Sequence, residues 1–163
     1  MRMDVPGKLL GLDVGLARIG VATCDPLRLS VRPLTVIHRT SRRADFDQLA
    51  RIVQREAPVA IVCGVPLNPD GTDGPQAQTV RKWAMRLAQA LRAILGQSLP
   101  IEFWDEQLTT FAAQEYLTSE RSNLPIDAVA AAVILESYLE AQRRGEGRDY
   151  GRIELPERVS TDE

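Results

Sequence analysis

Residues 9–22 read LLGLDVGLARIGVA, an apolar stretch carrying one carboxylate, three glycines and one arginine. The runs either side of Gly15-Leu16-Ala17 have strand character, and a link of that length joins two strands as a hairpin. The chain is therefore committed near its start to a sheet whose first strand carries Asp13. A buried carboxylate costs roughly several kcal/mol unless it is paired or bound. Asp13 demands a partner, and the remaining sequence must supply it.

A third strand is predicted over about Leu34 to His38, after the Asp25-Pro26 break, completing an antiparallel meander. From Ser41 the apolar period changes: Phe46, Leu49, Ala50 and Val53 fall at helical spacing, predicting a helix over Arg42 to Glu56 that Pro58 ends. Val59 to Cys63 reads as a short strand buried on both faces. GVPLNPDGTDGPQAQ, residues 64–78, is a loop by composition; within it Asp73, Pro75 and Gln76 form an N-terminal signature for a long helix ending near Leu95, at Gly96. Leu99 to Trp104 is a further strand, followed by a helix from Thr110 to about Glu120 and a last one from Pro125 to about Arg144. The order βββαβαβαα implies an α/β fold, a mixed five-stranded sheet with helices on both faces. Residues 1–144 form a single domain on this reading, and 145–163 an acidic, loosely ordered tail with six acids against three arginines.

Composition narrows the chemistry. The two cysteines, Cys24 and Cys63, lie in apolar runs and form no CxxC pair, so reduced buried thiols are expected rather than zinc or a redox dithiol. The single histidine, His38, stands beside Arg39 at a strand end, a poor start for a zinc protease or a hydrolytic triad. No segment has the apolar length of a signal or membrane helix, so a cytoplasmic protein without membrane partners is expected. The net charge of −2 hides an uneven distribution, since the first 60 residues hold ten basic side chains against six acids. That is compatible with a phosphate-bearing partner.

In sheets of this kind ligands gather at the carboxyl ends of the parallel strands, where Asp13, the Gly64 loop and Asp105-Glu106 all fall. Alternation puts Asp13 on the face of Leu9 and Gly11, the glycine leaving room beside it. Asp105 shares a face with Ile101 and Phe103, and Glu106 with Trp104, so only one of the two points where Asp13 does. Asp127 lies in the first turn of IDAVAAAVILESYLE, whose small residues allow close approach to the sheet. Carboxylates gathered in this way repel one another unless a cation sits among them. Oxygen donors without histidine favour Mg²⁺ or Mn²⁺, and two such ions can hold both the attacking and the leaving oxygen of a phosphodiester. In that arrangement Asp13 bridges the metals, Glu106 or Asp105 holds one, and Asp127 completes the other.

Plainer readings exist for most of these residues. Taken alone, Asp127 is explained by the helix dipole, Asp105 and Glu106 by a solvated strand end, and Gly64, Asn68 and Gly71 by turns with a secondary backbone role near phosphate. Arg18 is an outward strand residue or a phosphate contact beside Asp13. Arg81, Lys82 and Arg86 occupy one side of the long helix as a solvated face or, more sharply, a nucleic-acid track. Asp13 alone has no structural excuse.

With these residues assembled, the sequence resembles the YqgF (RuvX) family, relatives of the RuvC resolvases with an RNase H-like fold. The resemblance extends from about Gly11 to Leu139 through GLDVGLARIGVA, GVPLNPDG, FWDEQLTT and IDAVAAAVILESYL, in that order. It implies a divalent-metal-dependent nuclease acting in 5′-end maturation of pre-16S ribosomal RNA, or on Holliday junctions or single-stranded DNA. It also implies catalytic acids at Asp13, Asp127 and Glu106 in preference to Asp105. Gln107 departs from the arginine common in the family, so a charged contact is not assumed there. A monomer or a homodimer is compatible with this reading. Two rivals from other classes are a noncatalytic RNA-binding processing or transcription factor, and a kinase of the actin and hexokinase type. The kinase closes two such domains around its nucleotide, and 163 residues are expected to supply one.

Overall fold

The hairpin forms as the sequence predicts: β1 (Leu9–Val14) and β2 (Arg18–Cys24) pair antiparallel, with Asp13 opposite Gly20. The computed structural model describes residues 5–107 and 125–157 of the 163-residue chain. β3 (Val31–His38) extends the meander antiparallel to β2 and begins three residues earlier than expected. The Asp25 carboxylate explains the earlier start, because it accepts from the backbone N–H groups of Leu27, Leu29 and Ser30 and turns the chain back at once. His38 is the exposed end of β3.

Helix α1 (Arg42–Glu56) has the predicted bounds because both ends are chemically marked. The Ser41 hydroxyl accepts from Ala44 N at 3.1 Å, and Ala57 adopts a left-handed conformation before Pro58. β4 (Ala60–Val65) runs parallel to β1, and β5 (Ile101–Asp105) parallel to β4. β4 extends through Gly64 rather than ending at Cys63, so that glycine belongs to a strand and not to a turn. Helix α2 (Pro75–Leu95) is capped by Gly74 without a side-chain hydrogen bond; Asp73 does not act as the cap, because its carboxylate is taken by Arg81. Helix α3 (Ile126–Arg143) is the last. The helix expected from Thr110 to Glu120 lies outside the described residues.

Among the described residues the sheet has six strands rather than five, in the order β3-β2-β1-β4-β5-β6. The extra strand, β6 (Arg152–Ile153), pairs antiparallel with β5. Residues 149–157, expected to be loosely ordered, instead run along the outer edge: Phe103 N donates to Gly151 O, Arg81 Nη1 to Tyr150 O and Ser98 Oγ to Pro156 O. Ile153 is buried, and Tyr150 meets the Trp104 ring edge-on at 5.3 Å.

Strand alternation divides the core. Leu10, Leu12, Ile61, Cys63, Ile101 and Phe103 pack against α1 and α2, while Leu9, Ala22, Val62 and Trp104 pack against α3. Both cysteines are buried and unbridged. Among the described residues no helix is long and apolar enough to cross a membrane.

Candidate functional site

Asp13 projects from the α3 side of β1, the side of Leu9 and Gly11. Three glycines on that side bring the helix down onto the sheet. A Cβ at Gly20 would collide with the Asp127 backbone carbonyl, one at Gly11 would stand 3.1 Å from Ala131 O, and one at Gly64 would stand 2.5 Å from Ile134 Cδ1. The first turn of α3 therefore lies directly over the Asp13–Gly20 pair, which carries Asp127 to Asp13. Asp127 raises the pKa of Asp13 through its charge, second to burial as a cause.

The choice between Asp105 and Glu106 follows from the faces of β5. Phe103 packs with α1 and α2, whereas Trp104 packs with α3, donating its indole N–H to Ser137 Oγ at 3.1 Å. Glu106, two residues beyond Trp104, comes to the Asp13 side, its Cβ 3.5 Å from a Cβ built on Gly64. Asp105 belongs to the opposite face and accepts from Gln107 N at 3.0 Å. Burial first, then the charges of Asp13 and Asp105, push the Glu106 carboxyl up to about 7. Cys63, within reach of Asp13 and Glu106 electrostatically, is pushed up to about 12 mainly by burial, which makes it a protonated core thiol.

Arg18 Nε donates to Asp127 Oδ2 at 2.7 Å. Its guanidinium is the cation that Asp127 holds in this structure, and Asp13 and Glu106 have no comparable partner among the described residues. No three His, Cys, Asp or Glu side chains among the described residues stand in a group tight enough to hold a metal ion on their own. The acids are instead coupled in pairs, Asp13 with Asp127 and Asp13 with Glu106. As a donor set they fit a hard divalent ion: the donors are oxygen throughout and their charges have one sign, and Asp13 and Glu106 are pushed toward the protonated form first by burial and then by neighbouring carboxylates.

The basic candidates separate. Arg81 is tied down, with Nε 2.7 Å from Asp73 Oδ2 and its guanidinium 4.8 Å over the Phe103 ring. Lys82 and Arg86, one turn apart, are exposed and line a cavity together with Arg39 and Arg42. Those two arginines were not singled out from sequence; the signal available was the basic run HRTSRR at 38–43. Asn68 organises its own loop, donating from Nδ2 to Thr72 Oγ1 at 3.0 Å.

A family model named RuvX and described as a Holliday junction resolvase matches residues 7–141. This chain belongs to the RuvX family. Its RuvX relatives include proteins named "Putative pre-16S rRNA nuclease" from Paracoccus denitrificans, 44% identical over 142 residues, and Myxococcus xanthus, 40% identical over 141 residues. The first match covers 84% of this chain and 86% of the relative, the second 83% and 89%. Among solved structures, Thermus thermophilus RuvC in complex with a Holliday junction substrate superposes with a TM-score of 0.62 at 14% identity, over 88% of this RuvX chain and 99% of RuvC. That likeness assigns the RNase H-like fold expected from the sequence.

Proposed function

We propose that this RuvX protein is a divalent-metal-dependent nuclease that hydrolyses phosphodiester bonds in pre-16S ribosomal RNA at its 5′ end, in the cytoplasm. The observation that carries the reading is the convergence of Asp13, Glu106 and Asp127 on one face, at the carboxyl end of the parallel strands. Among the described residues Arg18 is the one cation paired with any of the three. The naming of the relatives as pre-16S rRNA nucleases supports the choice of RNA.

Asp13, Glu106 and Asp127 are the side chains that would hold Mg²⁺ or Mn²⁺. When bound, such ions supply a polarised phosphodiester and an activated water. The chain's own residues do the remaining work. Asp13 is electrostatically coupled to each of the other two acids. Glu106 exchanges its proton near neutral pH, so loading the site is coupled to release of that proton. Arg18 holds Asp127 in place and carries a charge that an incoming phosphate can share.

A second reading, cleavage of branched DNA, rests on the family description as a Holliday junction resolvase. One experiment separates the readings: wild type and Asp13→Asn incubated with structured RNA, single strands and four-way junctions across divalent ions. The expected outcome is manganese-dependent RNA cleavage by the wild type and background cleavage by the variant, with unchanged circular dichroism. Equal cleavage by both proteins would sink the metal-site reading. RNA binding without cleavage under any divalent ion would favour a noncatalytic processing factor.

A further inference from the structure

The loop 15–17 of the first hairpin has two sides. Asp13 faces α3, whereas Val14 faces α1 and α2 and forms one wall of a cavity of about 210 Å³. The cavity is open between the hairpin loop, the start of α1 and the first turns of α2. Among the described residues that line it, four are cationic (Arg39, Arg42, Lys82 and Arg86) and none is acidic. Among the described residues no carboxylate pairs with any of the four. In a chain of net charge −2, four cations sharing one concavity without an acid is a strong local field.

The cavity is built rather than incidental. Arg39 is fixed to the hairpin loop, its Nη1 donating to Gly15 O at 2.7 Å and its backbone N to Ala17 O at 2.9 Å. Its guanidinium also lies 6.0 Å from the Trp83 ring centroid. Trp83 is 94% buried (6% exposed), and its indole N–H is a buried donor without a hydrogen-bond partner among the described residues. Arg42, Lys82 and Arg86 line the cavity, are exposed, and have no ion-pair partner among the described residues. A neutral apolar ligand would leave these charges uncompensated. A phosphate would accept from several at once.

We infer that this cavity is a phosphate subsite, which takes a phosphate of the nucleic-acid strand whose scissile bond lies at Asp13, so that the strand crosses the hairpin loop between acids and cations. The inference rests on the nuclease reading for what happens at Asp13, but not for the binding itself. Its chemistry admits two sources, a terminal 5′-phosphate or an internal backbone phosphate.

The test is fluorescence anisotropy with the full chain in EDTA, using a short single-stranded RNA carrying either a 5′-phosphate or a 5′-hydroxyl. Lys82→Glu/Arg86→Glu should weaken binding at least about tenfold, and Lys82→Gln/Arg86→Gln should lower the salt slope by about 1.4. The control, Arg51→Glu/Arg55→Glu, changes charge equally away from the cavity and should weaken binding less than about threefold. Equal weakening in both Glu double variants, or wild-type affinity in the cavity variant, overturns the subsite. A wild-type preference for the 5′-phosphate that the cavity variant loses assigns a terminal phosphate; loss on both probes alike assigns an internal one. A cavity variant that binds as wild type while Asp13→Asn abolishes cleavage defeats the subsite and leaves the nuclease standing. The expected binding pattern without cleavage in Mg²⁺ or Mn²⁺ does the reverse.

Discussion

Glu106 keeps its proton up to about pH 7 because burial, then Asp13, then Asp105 oppose its ionisation. In the unfolded chain it ionises near the ordinary value of 4.5. Between those two pH values the folded state binds a proton that the unfolded state has released, so the contribution of Glu106 to metal-free stability falls as pH rises through the window. Above it the loss is complete. Glu106→Gln is neutral throughout and should therefore match the wild type at pH 4. At pH 8 in EDTA it should be more stable by on the order of 1 kcal/mol, a figure reduced for solvent screening of a half-buried group. Urea unfolding at both pH values reads this directly, and a gap of equal size at both would assign the effect to packing instead. Saturating Mn²⁺ should close the pH 8 gap by stabilising only the wild type. At this scale alternation in the sequence went far: it put Asp13 beside Gly11 and set Asp105 and Glu106 on opposite faces. It could not choose between those two acids, because the choice depends on which β5 face meets α3, and only the packing of Trp104 on Ser137 and Tyr138 decides that.

Among elements, α3 owes its position to glycines that the sequence displays without explaining. Gly11 was legible as space for Asp13, but Gly64 read as a turn residue, whereas Gly64 and Gly20 are each a point where the helix approaches the sheet. The obstacles differ in kind. A methyl group at Gly20 meets the Asp127 backbone, which cannot move without lifting the first turn of α3; at Gly64 it meets the tip of Ile134, a flexible end. Gly20→Ala should therefore cost about 1–3 kcal/mol in urea unfolding and reduce cleavage, through displacement of Asp127. Gly64→Ala should cost less than about 1 kcal/mol, and adding Ile134→Val should recover part of that loss. A Gly64→Ala penalty as large as that of Gly20→Ala would mean that the sheet, rather than the helix, sets the spacing. Helix α1 was readable to the residue because Ser41 and Pro58 mark its ends. The Asp73 cap was misread because the partner of Asp73, Arg81, stands two helical turns away and is itself held by Tyr150 from the far end of the chain.

For the molecule as a whole, the least legible feature is the strap that closes the sheet. RIELP shows no apolar period, and a two-residue strand is too short to produce one. Its docking depends on partners more than 40 residues away in sequence: Phe103 N on Gly151 O, Arg81 on Tyr150 O, Arg92 Nη1 on Pro156 O and Ser98 N on Glu157 Oε2. Without it the outer edge of β5 would offer unpaired backbone groups beside Ile101 and Phe103, the condition under which sheets pair edge to edge. The strap also holds Arg81, and through it Asp73 at the start of α2, the helix that presents Lys82 and Arg86. Ending the chain at Arg144 removes the buried Ile153 and several hydrogen bonds, together about 3–5 kcal/mol. For a chain of this size that lowers Tm by roughly 10 °C. The truncated protein should also sediment as concentration-dependent oligomers, whereas Tyr150→Ala, which keeps β6, should lose stability but stay in the wild-type sedimentation state. If the truncated protein sediments as the wild type does at every concentration, edge protection is not the role of the strap. Its contribution would then be confined to anchoring Arg81.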